Sequence, residues 1–198
     1  DAAIKVAGVG VSEHEIMVAV MTEIYRGGAV TIPPTFLLRA GPENLGHATP
    51  HWFSPRRKPR VLEKGDLVLA EIFTVYGNIE TQQQLTFVVG QPSESQRFVA
   101  DVARRSYELG LEAMRPGVMF SEVFRGMQEP VLAAGCWHIN PLIHSLAPLN
   151  AWGGMLNGLD EQTEIEEPLR HLSTTQVMGD FELQPGTLFA VEPSVAKG

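Results

Sequence analysis

The sequence predicts an α+β fold built from two related halves. Helix signals and strand signals alternate along its 198 residues, one stretch is typical of a β-hairpin, and a ten-residue pattern occurs twice. Residues 62–71 and 183–192 share the pattern Leu-x-x-Gly-x-Leu and end at a glutamate nine residues after the first leucine. A predicted helix precedes each copy, which favours duplication. Two halves related by a pseudo-twofold axis would bring Glu71 and Glu192 to related positions in one central cleft.

The first half opens with a capping box, a hydroxyl followed three residues later by a carboxylate. Ser12 and Glu15 form this pair, which predicts the start of a helix. The dipeptide Gly77-Asn78 lies between two strand-like runs and predicts a two-residue hairpin turn. The predicted elements are a helix, a short strand-like run inside a Pro- and Gly-rich segment, and two hairpin strands, at residues 12–27, 36–38, 66–76 and 79–89.

The second half begins with the longest predicted helix. Its start is the sequence Pro-Ser-Glu-Ser-Gln at residues 92–96, and Pro116 ends it. A second helix is expected from Ser121 to Gly135, where a glycine closes it. Residues 153–180 predict an acidic loop, and a turn then leads into a last strand at 187–192.

Composition narrows the function classes. A formal net charge of −8 argues against nucleic acid or an anionic membrane surface as a partner. The single cysteine, Cys136, excludes a disulfide framework and a cysteine zinc site, and it fits a cytoplasmic location. No apolar run approaches the roughly 18 residues that a membrane span needs, and no secretory leader is visible.

The predicted hairpin places polar side chains among apolar ones. Alternation along a strand puts Glu71 and Phe73 on one face, and the two-residue turn places Gln84 and Gln82 opposite them. Glu80 shares this face. Two interpretations stay open: a hydrogen-bonded structural cluster, or a site where carboxylates meet in a cleft.

These features resemble the pita-bread family of methionine aminopeptidase, Xaa-Pro aminopeptidase, prolidase and creatinase. The similar segments include the hairpin, the helix that follows it and the second repeat copy, at residues 65–69, 76–77, 85–90, 92–97, 115–118 and 183–193. The resemblance implies two pseudo-symmetric halves with a curved antiparallel sheet and outer helices. It implies one domain over residues 1–198, with halves at about 1–90 and 91–198, that lacks its last C-terminal strand.

Catalytic members of that family bind two divalent metals through two aspartates, one histidine and two glutamates. By this resemblance, Glu71 and Gln82 stand at the aspartate positions, His144 at the metal histidine and Glu192 at the first glutamate. The second glutamate would lie beyond the last residue of this sequence. His51 resembles the family's histidine on the substrate side, and Ala151 stands where a further histidine is expected.

The departures from this pattern weaken the expected metal site. Gln82 offers only a neutral carbonyl, which is a weaker ligand than a carboxylate for a divalent cation. Glu71 keeps the charge but extends the carboxylate by a methylene. The resemblance therefore implies one divalent ion (Mn, Co, Zn or Fe) or none. Without a metal, as in creatinase, His144 would serve as general acid and base, with Glu192 or Glu71 orienting it or holding a cationic group of the substrate. A buried, hydrogen-bonded core histidine is the alternative for His144.

Three functions follow as hypotheses. The first is a divergent hydrolase that acts on a peptide, amide or guanidino C–N bond, with His144, Glu71 and Glu192 as its central residues. The second is a catalytically silent domain that binds a peptide or small ligand. The third is an ordinary two-metal Xaa-Pro peptidase. The expected partners are a small molecule or short peptide and a second copy in a homodimer, with no nucleic acid and no membrane.

Overall fold

The structure is a computed structural model that describes residues 1–31, 36–42, 56, 58–138, 141–146, 158–165 and 180–198. His51 and most of the predicted acidic loop lie outside the described residues. The chain divides into two compact units, Asp1–Ser93 and Glu94–Gly198. The expectation of a single domain over 1–198 stays a prediction.

The first unit packs two helices against one face of a three-stranded antiparallel sheet. Its strand order is β1-β2-β3. The elements in chain order are α1 (Ala2–Val6), α2 (Glu13–Arg26), β1 (Phe36–Gly41), β2 (Leu67–Tyr76) and β3 (Ile79–Val88). The apolar stripe of α2, carried by Ile16 and Val20, packs with buried residues of the strands such as Leu38, Val68 and Ala70. The opposite face of the hairpin carries Glu71, Gln82 and Gln84 among apolar side chains such as Phe73.

Local signals in the sequence account for both the start of α2 and the hairpin turn. The Ser12 hydroxyl accepts a hydrogen bond from the Glu15 N–H, and the Glu15 carboxylate accepts one from the Ser12 N–H. Gly77 and Asn78 have φ values of +57° and +64°, as a two-residue turn between right-twisted strands requires. The predicted capping box and hairpin are therefore both present.

The second unit is built from two packed helices and a small sheet. Its elements are α3 (Glu94–Ala113), α4 (Phe120–Ala133), β4 (Ile143–Ser145), a short 3-10 turn (Leu159–Glu161) and β5 (Phe189–Val191). β4 and β5 pair antiparallel. A Cβ on Gly110 would lie 2.6 Å from the Met127 sulfur, so the glycine lets α3 and α4 approach closely. The predicted last strand, residues 187–192, is shorter in the structure, where only Phe189–Val191 pair with β4.

Within the described ranges, no helix is both long enough and apolar enough to cross a membrane.

Candidate functional site

The second unit brings His144 and Glu192 into direct contact. His144 is the middle residue of β4 and lies opposite Ala190 of β5, and Glu192 directly follows β5. The Glu192 N–H donates to the Leu142 carbonyl at 2.9 Å, which extends the pairing of the two strands by one step. The His144 Nε2 lies 3.0 Å from the Glu192 Oε1. The two residues are only 9% and 7% exposed, so the pair is largely shielded from water.

Hydrogen bonding determines how many protons this pair holds. The His144 Nδ1 lies 2.8 Å from the Ser145 carbonyl oxygen, which can only accept, so Nδ1 carries a proton. A neutral imidazole would then present a bare Nε2 lone pair to a carboxylate oxygen, and two acceptors at 3.0 Å repel. A hydrogen bond between Nε2 and Oε1 therefore requires a second proton at this contact. With that proton in place, the pair is an imidazolium beside a carboxylate, or a neutral imidazole beside a carboxylic acid, and it can donate the proton.

The first unit places Glu71 and Gln82 on one face of the hairpin. Glu71 of β2 lies opposite Gln84 of β3, and Phe73 lies opposite Gln82. Glu71 is 3% exposed, whereas Gln82 is half-buried. The Gln82 Nε2 donates a hydrogen bond to the Glu80 carboxylate at 3.1 Å. Both residues lie closer to the hairpin turn than Gln84 does.

A bidentate ion pair anchors the start of this hairpin. The Arg60 guanidinium donates to both carboxylate oxygens of Asp66, each at 2.8 Å, and the Glu63 N–H adds a third bond at 2.9 Å. Burial raises the pKa of Asp66, but the Arg60 and Glu63 hydrogen bonds and the Arg60 charge outweigh it, and the pKa lies below its ordinary value. Asp66 is therefore a structural carboxylate that holds the turn before β2.

The second unit also contains a buried network of neutral polar groups. The Gln128 Nε2 donates to the Gly158 carbonyl at 2.9 Å and contacts the His138 Nε2 at 3.2 Å. The Gln162 side chain accepts from the His138 N–H at 2.6 Å and donates to the His138 carbonyl at 2.8 Å. Sequence reasoning missed this network, because isolated glutamines carry no spacing signal that links residues 30 apart.

The structure thus assembles part of the predicted site within each unit. His144 and Glu192 meet in the second unit, and Glu71 and Gln82 share a face in the first. Their roles as catalytic residues or metal ligands stay predictions, and so does the role of His51, which lies outside the described residues.

The sequence model of metallopeptidase family M24 matches residues 1–198, so the chain belongs to this family of hydrolases. Among curated relatives, it is 29% identical over 103 residues to the Xaa-Pro dipeptidase of Pyrococcus furiosus, covering 51% of this chain and 28% of that protein. It is 22% identical over 177 residues to methionine aminopeptidase A of Synechocystis sp., covering 86% and 62%. The chain therefore spans less than two thirds of the length of both relatives.

Solved structures confirm the predicted pita-bread fold. The prolidase from Pyrococcus furiosus superposes with a TM-score of 0.65 at 24% identity, over 73% of this chain and 42% of that one. The X-Pro aminopeptidase from Thermotoga maritima gives a TM-score of 0.62 at 19% identity, over 73% and 40%. At these identities the likeness establishes the fold alone.

Membership of a metallopeptidase family raises the question of whether these residues fit a metal. In a two-metal centre, carboxylates bridge and neutralise two cations about 3.5–4 Å apart. At the hairpin one of the two expected carboxylates is the neutral Gln82, whose amide nitrogen is bound to Glu80. In the part of the chain that the structure describes, no group of three or more His, Cys, Asp or Glu side chains could hold a metal ion. The described residues do not fit the two-metal centre.

Proposed function

We propose that this chain is a divergent M24 hydrolase that cleaves a C–N bond in a short peptide, amide or guanidino compound through proton transfer at His144 and Glu192. The observation that carries the proposal is the 3.0 Å contact between the His144 Nε2 and the Glu192 Oε1, which is largely shielded from water. An imidazole can act both as a general acid and as a general base.

The pair supplies the steps that such a hydrolysis needs. The pair donates the proton between Nε2 and Oε1 to the leaving nitrogen as the C–N bond breaks, which leaves a neutral His144 imidazole beside the Glu192 carboxylate until the pair regains a proton. The attacking water forms the new C–O bond and gives one proton back to the pair, which restores its starting state. The net change is water added across the C–N bond. The Ser145 carbonyl fixes the imidazole orientation throughout, because it holds the Nδ1 proton.

The substrate class rests on the relatives. The two curated relatives are named an Xaa-Pro dipeptidase and a methionine aminopeptidase. The proposal therefore starts with dipeptides that carry proline second, followed by simple amides and guanidino acids. A cytoplasmic location and a homodimer are parts of the same proposal.

The test compares turnover of these substrates by the wild-type chain and by variants. General acid–base catalysis contributes about 10²- to 10⁴-fold, so His144→Ala should lower kcat by at least about 100-fold. Glu192→Gln should lower kcat by at least about 10-fold with little change in KM, since Glu192 acts through His144 and does not contact the substrate. The exposed His14→Ala is the matched control and should leave turnover unchanged. Unchanged turnover in His144→Ala would show that the proposal is wrong.

A second candidate is a catalytically silent domain that binds a peptide or small ligand. The neutral Gln82 at a metal-ligand position favours it, because losing that carboxylate removes part of the family's catalytic apparatus while leaving the fold intact. Saturable binding of a dipeptide with no turnover, unaffected by His144→Ala, would support this second candidate over the first.

A further inference from the structure

We propose that the β2–β3 hairpin of this protein does not take a divalent metal ion, and that the amide of Gln82 is the reason. This inference concerns the first unit alone. It holds whether or not His144 and Glu192 catalyse hydrolysis, so the two proposals can fail separately.

The backbone of the hairpin is suited to a metal site. Glu71 lies opposite Gln84, and Gln82 is two residues further along β3 on the same face. Residues in this diagonal relation have Cα atoms about 7–8 Å apart, and two carboxylates there could converge on cations about 3.5–4 Å apart. The strand pairing, turn and register therefore leave the place for two ligands intact, and only the side chains differ.

The side chains of the hairpin do not supply the negative charge that a divalent ion needs. Gln82 presents a neutral amide at the second position, and its nitrogen already donates to Glu80. Glu80 cannot take over the missing role, because it lies opposite Val75, four residues along β2 from Glu71. At about 3.4 Å per residue, the Cα atoms of Glu71 and Glu80 lie more than about 13 Å apart, so their carboxylates are too far apart to share one ion. The face thus keeps one suitably placed carboxylate where two are needed.

The experiment restores the lost carboxylate and measures metal binding directly. Isothermal titration of the full chain with Mn²⁺, Co²⁺ and Zn²⁺ gives the number of ions bound, and metal analysis after gel filtration checks it. Three variants are compared: Gln82→Asp, the double variant Glu71→Asp/Gln82→Asp, and Gln83→Asp as the control. Gln83 is the neighbouring glutamine, exposed on the other face of β3. All three are checked for native secondary structure by circular dichroism.

We expect the double variant to bind one ion more than the wild type, at the hairpin. Its affinity for that ion should exceed any affinity of the wild-type hairpin by at least about 100-fold, and Gln83→Asp should bind no additional ion. Gln82→Asp alone should show a weaker gain, and it guards against a double variant that does not fold. Two further variants, Gln82→Ala and Glu71→Gln, are measured alongside these three, and any ion that the wild-type chain binds should persist in both. An ion lost in either of those variants would overturn the proposal. So would a folded double variant that gains no binding.

Discussion

Replacing Gly158 by alanine tests the buried amide network of the second unit. Gly158 has φ = +55°, a conformation in which an alanine is strained by roughly 1 kcal/mol. A Cβ at this position would also overlap the Gln128 amide nitrogen and lie 2.7 Å from the Phe124 ring. Overpacking of this kind typically costs about 1–3 kcal/mol, and a displaced Gln128 loses hydrogen bonds worth about 1 kcal/mol each. With the two Gln128 hydrogen bonds to His138 and Gly158, the sum is about 4–6 kcal/mol, which corresponds to a fall in Tm of roughly 10–20 °C for a chain of this length.

Thermal unfolding followed by circular dichroism measures this effect, and two other glycines provide matched controls. Gly117 has φ = +87° with no atom within 4 Å of an added Cβ, so Gly117→Ala reports backbone strain alone. Gly126 lies inside α4 with open space around its Cβ position, and Gly126→Ala should leave Tm unchanged or raise it slightly. If Gly158→Ala lowers Tm no more than Gly117→Ala does, the packing of Gly158 against the network is not what stabilises this region.

Three further predictions concern buried charges and the cysteine. Asp66→Asn should lower the stability at pH 7 by about 2 kcal/mol, because it removes the charged partner of Arg60. Since the pKa of Asp66 is depressed, its contribution is present above about pH 4 and lost as pH falls through the folded pKa, so the stabilities of wild type and variant should converge during acid denaturation. Glu13 is fully buried and accepts hydrogen bonds from two backbone N–H groups. Glu13→Ala should therefore lower the free energy of unfolding in urea by about 2–4 kcal/mol, against less than about 0.5 kcal/mol for the exposed control Glu23→Ala. Equal losses in the two variants would refute this role. Burial raises the pKa of the Cys136 thiol. A disulfide reagent at pH 8 should therefore label the folded chain at least about 100-fold more slowly than the urea-unfolded chain. Equal labelling rates would contradict the burial of Cys136.

Sequence reasoning located the elements whose signals are local. The Ser12–Glu15 capping box predicts a helix over 12–27, and the helix runs from Glu13 to Arg26. The Gly77-Asn78 turn likewise predicts the hairpin to within a residue of its observed strands. In these cases the residues that determine the structure are neighbours along the chain, so one sequence contains the whole signal.

Elements whose stability comes from distant partners were harder to predict. β4 is only three residues long and exists because β5, more than 40 residues later, pairs with it. The contact between His144 and Glu192 has the same origin. Residue type and spacing did not show that the two would meet, and only the resemblance to the family suggested it. Neither a local pattern nor a family motif indicates the two hydrogen bonds between the Gln162 side chain and the His138 backbone, so they were not predicted.

The two histidines of the second unit that lie six residues apart have opposite kinds of partner. His144 faces a carboxylate, whereas the side chain and backbone of His138 are held by the amides of Gln128 and Gln162. Amides neither gain nor lose a proton in the physiological range, so the two hydrogen bonds between the Gln162 amide and the His138 backbone do not depend on pH. The unit therefore separates two tasks. The hydrogen bonds between Gln162 and the His138 backbone maintain the local structure. A proton gained or lost at His144 and Glu192 leaves those hydrogen bonds in place.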